Sequence, residues 1–334
     1  MRFMIKKKSF VTGANGFVGS HLVEYLLDQG HEVHCLLRAS SNDKWLKNLD
    51  ITQHRGGIED IEFLKTVFTT HQANYIFHLA GTVKAFDYAG FEAGNVKPTR
   101  CILEAALGID SVEKIIITSS LAASRSTLVG EPNDETCERI PVTDYGQSKV
   151  AEEDLAISYM NRLPISIIRP PVVYGERDVE VLLFFKTVKA HLIPLIGFTP
   201  KSVSLVYVGD LVKGFYQCAI SEKSIHQTYF LGGHENEYTW HRLGELTAQI
   251  LNVSAIQLRV PHFIIYTVAT IYEFIAKIFG QPVTFNTQKG REMVSESWSC
   301  TSLKAKTDFG YHPSSTIEEG FKKTIQWYKA QGWM

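Results

Sequence analysis

Tyr145 and Lys149 stand four residues apart in the run Asp144-Tyr145-Gly146-Gln147-Ser148-Lys149, and SKVAEEDLAISYM continues what reads as one helix. Four residues is about one helical turn, so both side chains emerge on one face and their heads can meet. A phenol is ordinarily too weak an acid to trade protons at neutral pH, but an ammonium beside it in a partly dry cleft favours the phenolate. Tyr145 then becomes a usable general acid or base. Upstream, Thr118-Ser119-Ser120 closes the apolar run KIIITSS. That is the carboxyl edge of a strand, where open α/β sheets put their ligands, and the Ser120 hydroxyl there can hold a substrate oxygen. Alone, each signal is weak: serines after strands are mostly turn residues, and Y-x-x-x-K arises by chance.

A third motif supplies the context. Residues 12–19 read TGANGFVG, after the apolar run FVTGA and before a helical segment from about Phe17. Gly13, Gly16 and Gly19 have the spacing of a phosphate-binding turn. Glycine permits the tight turn, lets backbone N–H groups approach a pyrophosphate at the positive end of a helix, and allows close packing of helix on strand. A glycine-rich turn without a ligand is the plain alternative, and the order strand, turn, helix argues against it. Such sites separate NAD from NADP at the end of the second strand, where an acid meets the ribose hydroxyls or an arginine meets the 2′-phosphate. Here HEVHCLL ends in Arg38, with Ser40, Ser41 and Lys44 following and no acid at the position. NADP(H) is therefore expected, with NAD as the alternative if Arg38 is only a solvated strand-end charge.

Positioning these groups takes alternating elements. FVTGA, HEVHCLL, ITQHRG, YIFHLAG, KIIITSS and ISIIRP are short β-branched runs separated by helix-length amphipathic segments, the rhythm of βαβ units. The expected fold is α/β, a Rossmann-type doubly wound parallel sheet with a smaller C-terminal substrate-binding lobe. The basic start MRFMIKKKSF has no apolar core of signal-peptide length and reads as the first strand. The boundary falls at RPPVVYGERD, giving a nucleotide-binding domain over 1–170 and a mainly substrate-binding lobe over 171–334, with segments near 203–232 (SLVYVG, TYFLGG) returning to the sheet. At 334 residues the chain exceeds one ordinary domain, and 34 Lys+Arg against 35 Asp+Glu leave no field to gather nucleic acid. Five cysteines without a C-x-x-C suggest neither disulfides nor a zinc knuckle, which fits a reducing cytoplasm, and the 12 histidines include no H-E-x-x-H. No metal is expected.

TGANGFVG, HLAG (His78 to Gly81), Asn95 in NVKPT, TSSLAA, YGQSK and RPPVVYG together resemble the extended short-chain dehydrogenase/reductase family, that is, the NAD-dependent epimerase/dehydratases, over essentially the whole chain. Arg38, RPPVVYG, Trp298 and Cys300, GYHP and IQWYKAQGW look most like its dihydroflavonol 4-reductase and 3β-hydroxysteroid dehydrogenase branch. The resemblance implies catalysis by Ser120, Tyr145 and Lys149. It implies cofactor contact from Gly13, Asn15, Gly16, Phe17, Val18 and Gly19, from Arg38, Ile58, Leu79, Ala80 and Gly81, and from Tyr145, Lys149 and Pro170. Asn95 takes a structural or proton-relay role, and a homodimer through the helices near Asn95 and after Tyr145 is implied. The chain departs from the pattern in RGGIED, where Gly56-Gly57 replaces the family's Gly-Asp and passes the adenine contact to Ile58 or Asp60. Gly209 in YVGDL replaces a second aspartate, leaving Asp210.

Three functions compete: a reductase acting on a small-molecule ketone or secondary alcohol, a nucleotide-sugar epimerase or dehydratase, and a non-catalytic cofactor sensor. The sensor reading is disfavoured because Tyr145 and Lys149 are both present. The sugar reading is disfavoured because Leu121-Ala122 follows Ser120 where dehydratases place an acidic pair, and because Pro171-Val172 replaces an expected asparagine. The segment VPHFIIYTVATIYEFIAKIFGQP bears on substrate class. It is too short and too charged for a comfortable membrane span, which leaves a core helix as the first expectation, then the wall of an apolar substrate pocket, then a peripheral membrane contact.

Overall fold

The computed structural model describes residues 6–334, so the start of the expected first strand, residues 1–5, lies outside the described residues. Seven strands form one sheet: β1 Lys8–Thr12, β2 Glu32–Leu37, β3 Ile51–Arg55, β4 Tyr75–His78, β5 Lys114–Thr118, β6 Ile165–Arg169 and β7 Thr228–Phe230. Every pairing is parallel, in the spatial order β7-β6-β5-β4-β1-β2-β3. These strands are apolar at successive positions because both faces are covered. Val11, Phe77, Ile116 and Ile168 face Leu22, Val23 and Leu26 of α1 (Phe17–Asp28). Their neighbours Phe10, Ile76, Ile115 and Ile167 turn to the other face, against α2 (Ile61–Thr70), α3 (Lys97–Ala106) and α4 (Asp144–Tyr159). The strand order reverses between β1 and β4, which opens a crevice above their carboxyl ends.

Local chemistry sets the helix starts. Thr143 Oγ1 accepts from Gly146 N at 3.0 Å and opens α4 one residue before Tyr145, a cap worth about 1 kcal/mol. Asp60 does the same for α2, accepting from Phe63 N at 3.0 Å. Of the two later runs, TYFLGG supplies β7, whereas Leu205–Tyr207 of SLVYVG pairs in parallel with Val172–Tyr174 in a separate two-stranded sheet. Helix α5 (Val208–Ile220) follows and packs Leu211, Val212 and Phe215 onto the α1 face of the main sheet. The buried carboxylate of Asp210 accepts from Ser314 N, Ser314 Oγ and Ser315 N at 2.9 to 3.0 Å. It is a clasp for the C-terminal chain, with no free oxygen aimed at a substrate.

The second lobe has its own core of Tyr174, Phe185, Leu243, Phe321, Ile325 and Tyr328. Helix α6 (His262–Phe279) does not belong to it, contrary to the core-helix expectation. Only Ile265, Ala269 and Ala276 are buried, against the short polar helix α7 (Thr287–Val294), while Phe263 is 68%, Phe274 64%, Ile278 64% and Phe279 74% exposed. The periodicity identified a helix correctly. Because the segment is apolar all round, it carried no information on which face would be covered.

Helix α4 is pinned to the sheet by a buried ion pair. Glu153 receives Arg169 Nε at 2.7 Å and Nη2 at 2.6 Å from β6. Removing one partner strands a buried charge, so Arg169→Met is expected to lower unfolding free energy by about 3–5 kcal/mol in urea denaturation, and Glu153→Leu added to it recovers most of that loss. A single-variant loss below about 1 kcal/mol would show the pair to be solvated.

Candidate active site

The crevice is a cleft of ≈ 640 Å³ lined by Gly13, Asn15 and Gly16 from the first turn, Arg38 and Ser41 after β2, Gly56, Gly57 and Ile58 after β3, and Leu79, Ala80 and Gly81 after β4. Its volume lies within the range of cofactor pockets. Two glycines are required by geometry. Gly13 has φ +68°, and a Cβ there would lie 2.8 Å from Ala80 N. A Cβ on Gly81 would lie 2.9 Å from Asn95 Oδ1 and 3.7 Å from Lys149 Nζ, so this residue leaves open the space between the turn and Lys149. Phe17, Val18 and Gly19 form the first turn of α1, with Phe17 and Val18 packed on the core, and Pro170 O accepts from Leu121 N at 2.9 Å. These four position the cleft without lining it. Arg38 is exposed, and its guanidinium makes no hydrogen bond or ion pair among the described residues. Ile58 lines the cleft, whereas the Asp60 carboxylate is taken up by its helix cap.

Beneath the cleft runs a buried chain of hydrogen bonds. Thr12 Oγ1 accepts from Leu79 N and Ala80 N at 3.1 and 3.0 Å, so its own proton goes to His78 Nδ1 at 2.8 Å. The ring then donates from Nε2 to Thr99 Oγ1 at 3.0 Å, and the single Thr99 proton is shared between Glu152 Oε1 at 2.7 Å and Asn95 O at 2.8 Å. Glu152 Oε2 takes Lys149 Nζ at 2.6 Å, and Nζ also donates to Thr118 O at 2.9 Å. Burial, with the Lys149 charge second, pushes the His78 pKa down to about 3, which keeps the ring neutral and its donor and acceptor ends distinct. Burial by itself would push the lysine pKa down too. Glu152, then Tyr145 and Glu153, more than offset this and hold it above the ordinary lysine value. Lys149 is therefore a fixed positive charge one turn from Tyr145.

Tyr145 is half-buried at the start of α4, its ring centroid 5.9 Å from that of Phe91. Ser148, between Tyr145 and Lys149, donates to Tyr145 O at 2.7 Å and accepts from Asn95 Nδ2 at 2.9 Å. Asn95 sits in a π-helical turn, Glu92–Val96, and its Oδ1 accepts from Thr82 N at 2.7 Å. Such one-turn bulges re-aim a side chain at functional sites. Ser120 caps a short 3₁₀ turn by accepting from Ala122 N at 3.1 Å, which leaves its O–H proton free to donate. Leu121 and Ala122 follow it and bring no acid to the site. The second lobe reaches the start of α4, where Gln288 of α7 accepts from Asp144 N at 2.6 Å.

Motif reading did not single out Thr12, His78, Thr99, Glu152, Glu153 or Gln288 as site residues. Two adjacent acids on the inner face of a helix beside a lysine was the one signal in the sequence that pointed to the buried pair.

The comparisons agree with the fold. A profile of the NAD dependent epimerase/dehydratase family matches residues 9–232. A ceramide reductase of Caulobacter vibrioides is 27% identical, covering 97% of this chain and 95% of that protein. A UDP-glucose 4-epimerase of Vibrio cholerae is 26% identical over 96% of this chain and 95% of its own length. The crystal structure of gox2253 superposes with a TM-score of 0.81 at 26% identity, covering 98% of this chain and 100% of that one. The chain belongs to the NAD dependent epimerase/dehydratase family and is an NAD(P)-dependent oxidoreductase-type enzyme of the extended short-chain dehydrogenase/reductase class.

Proposed function

We propose that the enzyme exchanges hydride between NADP(H) and a ketone or secondary alcohol carried on a large apolar skeleton. The observation that carries the substrate half of this reading is the open face of α6. Phe263, Ile271, Phe274, Ile275, Ile278 and Phe279 are exposed on a helix that packs against α7, whose Gln288 bonds the start of α4. Phe86, 46% exposed, flanks a small cavity that Glu273 and Ala276 of α6 share with Asn286, Thr287 and Gln288. Several polar groups of α6 are satisfied within the protein. Thr267 and Thr270 return their hydroxyls to the carbonyls of Phe263 and Tyr266 at 2.8 Å, and Glu273 pairs with Lys277 at 3.0 Å. A face this broad and predominantly apolar suits an apolar substrate or the lipid surface that holds one. The relative named a ceramide reductase, with a lipid substrate, supports the same class.

Bound cofactor supplies or accepts the hydride. In the reducing direction, Ser120 donates to the substrate oxygen and orients the carbonyl, and Tyr145 gives that oxygen its proton. Lys149, kept protonated by Glu152, holds a positive charge beside the phenolate left behind in the reducing direction. Asn95, held by Thr82 and Ser148, keeps the start of α4 in register with the cleft. For the cofactor, Arg38 is an unpaired cation at the end of β2 with Ser41 beside it in the cleft, suited to a 2′-phosphate.

Tyr145→Phe is expected to lower turnover by about 10²–10⁴-fold while NADPH still binds; near-normal turnover on an identified substrate would remove Tyr145 from the mechanism. Titration should find NADPH tighter than NADH by about tenfold or more, corresponding to about 1.5–3 kcal/mol of charge-assisted contact that Arg38→Ala abolishes. Equal affinities, or no effect of the variant, would make Arg38 a solvated charge and NAD the cofactor. In side-by-side assays, steroid, flavonoid and long-chain keto substrates should be turned over in preference to UDP- or dTDP-sugars. Phe274→Asp with Ile278→Asp should depress activity on the long-chain substrates and spare a short soluble ketone. Epimerisation of a nucleotide sugar without net NADPH consumption refutes the reductase reading.

A further inference from the structure

Three histidines converge on the edge of the main sheet, on elements separate from the catalytic helix. His34 lies on β2, His54 on β3, and His71 closes α2 as its C-cap residue. One ring nitrogen from each lies within 4.8 Å of the other two. His34 Nδ1 is 2.9 Å from His54 Nε2, and the His71 ring centroid is 4.7 Å from that of His34 and 4.9 Å from that of His54. A histidine–histidine hydrogen bond accounts for His34 and His54. It leaves unexplained why the third ring, which has no side-chain hydrogen bond among the described residues, turns to the same point.

The orientation of His34 supplies a second argument. Its Nε2 is 2.9 Å from Glu32 Oε1. A carboxylate only accepts, so Nε2 carries the proton, and in the neutral ring Nδ1 presents its lone pair to the middle of the cluster. A carboxylate behind an imidazole is the usual arrangement for fixing tautomer and ring orientation in a metal ligand. Stacking of His34 on Phe10, centroids 4.4 Å apart and planes 10° from parallel, locks the ring further. His54 and His71 are half-buried, leaving the cluster open on one side to an ion and a water.

We propose that His34, His54 and His71 form a binding site for a divalent zinc-type cation, with Glu32 as the positioning residue and water in the fourth position. Three imidazoles and one open place is a donor set that suits zinc. Tetrahedral bonds of about 2.0–2.1 Å put ligand nitrogens about 3.3 Å apart, close to the 2.9 Å between His34 Nδ1 and His54 Nε2, and the half-buried His54 and His71 rings are the ones that turn to meet the ion. The site would tie the C-terminal end of α2 to β2 and to β3, the edge strand that leads into Gly56 and Gly57 of the cofactor cleft. Its ligands are 20 and 17 residues apart on three elements, which is why no metal spacing was visible in the sequence.

The test uses tag-free full-length protein, stripped with a chelator and titrated with Zn²⁺ against a chromophoric competitor, with thermal melting in parallel. The expected result is one Zn²⁺ per chain and a rise in melting temperature. His54→Ala and His71→Ala should each weaken binding by about 100-fold or more and Glu32→Gln by about 10-fold, while the distant His241→Ala leaves it unchanged. His34 is fully buried against Phe10, so its variant is avoided as a folding risk. Unaltered one-to-one binding in the His54→Ala/His71→Ala double variant, or wild-type affinity no better than that variant's, overturns the site. A melting temperature indifferent to Zn²⁺ at saturating occupancy overturns its structural role.

Discussion

The catalytic end of this molecule depends on one buried ion pair, Lys149 with Glu152 at 2.6 Å. Two charges taken out of water are costly unless each is fully hydrogen-bonded, and here the surroundings are arranged to do that. Lys149 has a second acceptor in Thr118 O, and Glu152 has a second donor in Thr99. From Thr99 the chain passes through neutral His78 to Thr12, whose oxygen takes the backbone amides of Leu79 and Ala80. The same set of bonds therefore keeps the ammonium beside Tyr145 and shapes the floor of the cofactor cleft. Strands β1, β4 and β5 and helices α3 and α4 all contribute to it, so a disturbance at any one is felt at Tyr145.

The neighbouring pair, Glu153 with Arg169, has a different task. Glu152 and Glu153 are adjacent on α4, yet one faces Lys149 and the other reaches β6. The first sets a protonation state, and the second sets the seat of the helix on the sheet. Their proximity also explains why both must be paired: either carboxylate left alone would raise the cost of charging the other.

The second lobe is tied to the start of α4. Gln288 reaches the backbone at Asp144, and α7 rests on α6, so the lobe that presents the apolar face also holds the start of α4. Packing on α6 and α7 is thereby linked through Gln288 to the start of α4, the helix that carries Tyr145.

The sequence alone determined whatever depends on local periodicity and backbone conformation. The six short apolar runs and the glycine turn specified a parallel sheet because buried strands and positive-φ turns each demand particular residue types, and Tyr145 and Lys149 announced a shared helix face through their spacing. Tertiary structure decided the rest. Which face of α6 is covered depended on the small, polar α7, a matter of partner and not of period. Leu205–Tyr207 reads as well as Thr228–Phe230 for a strand of the main sheet, and long-range packing put only the second there. The partners of Glu152, the clasp at Asp210 and the convergence of His34, His54 and His71 all join residues distant in the chain. Hydrogen bonds and ion pairs act over about 3 Å in space, and nothing in the order of residues encodes which distant groups the fold will bring within that reach.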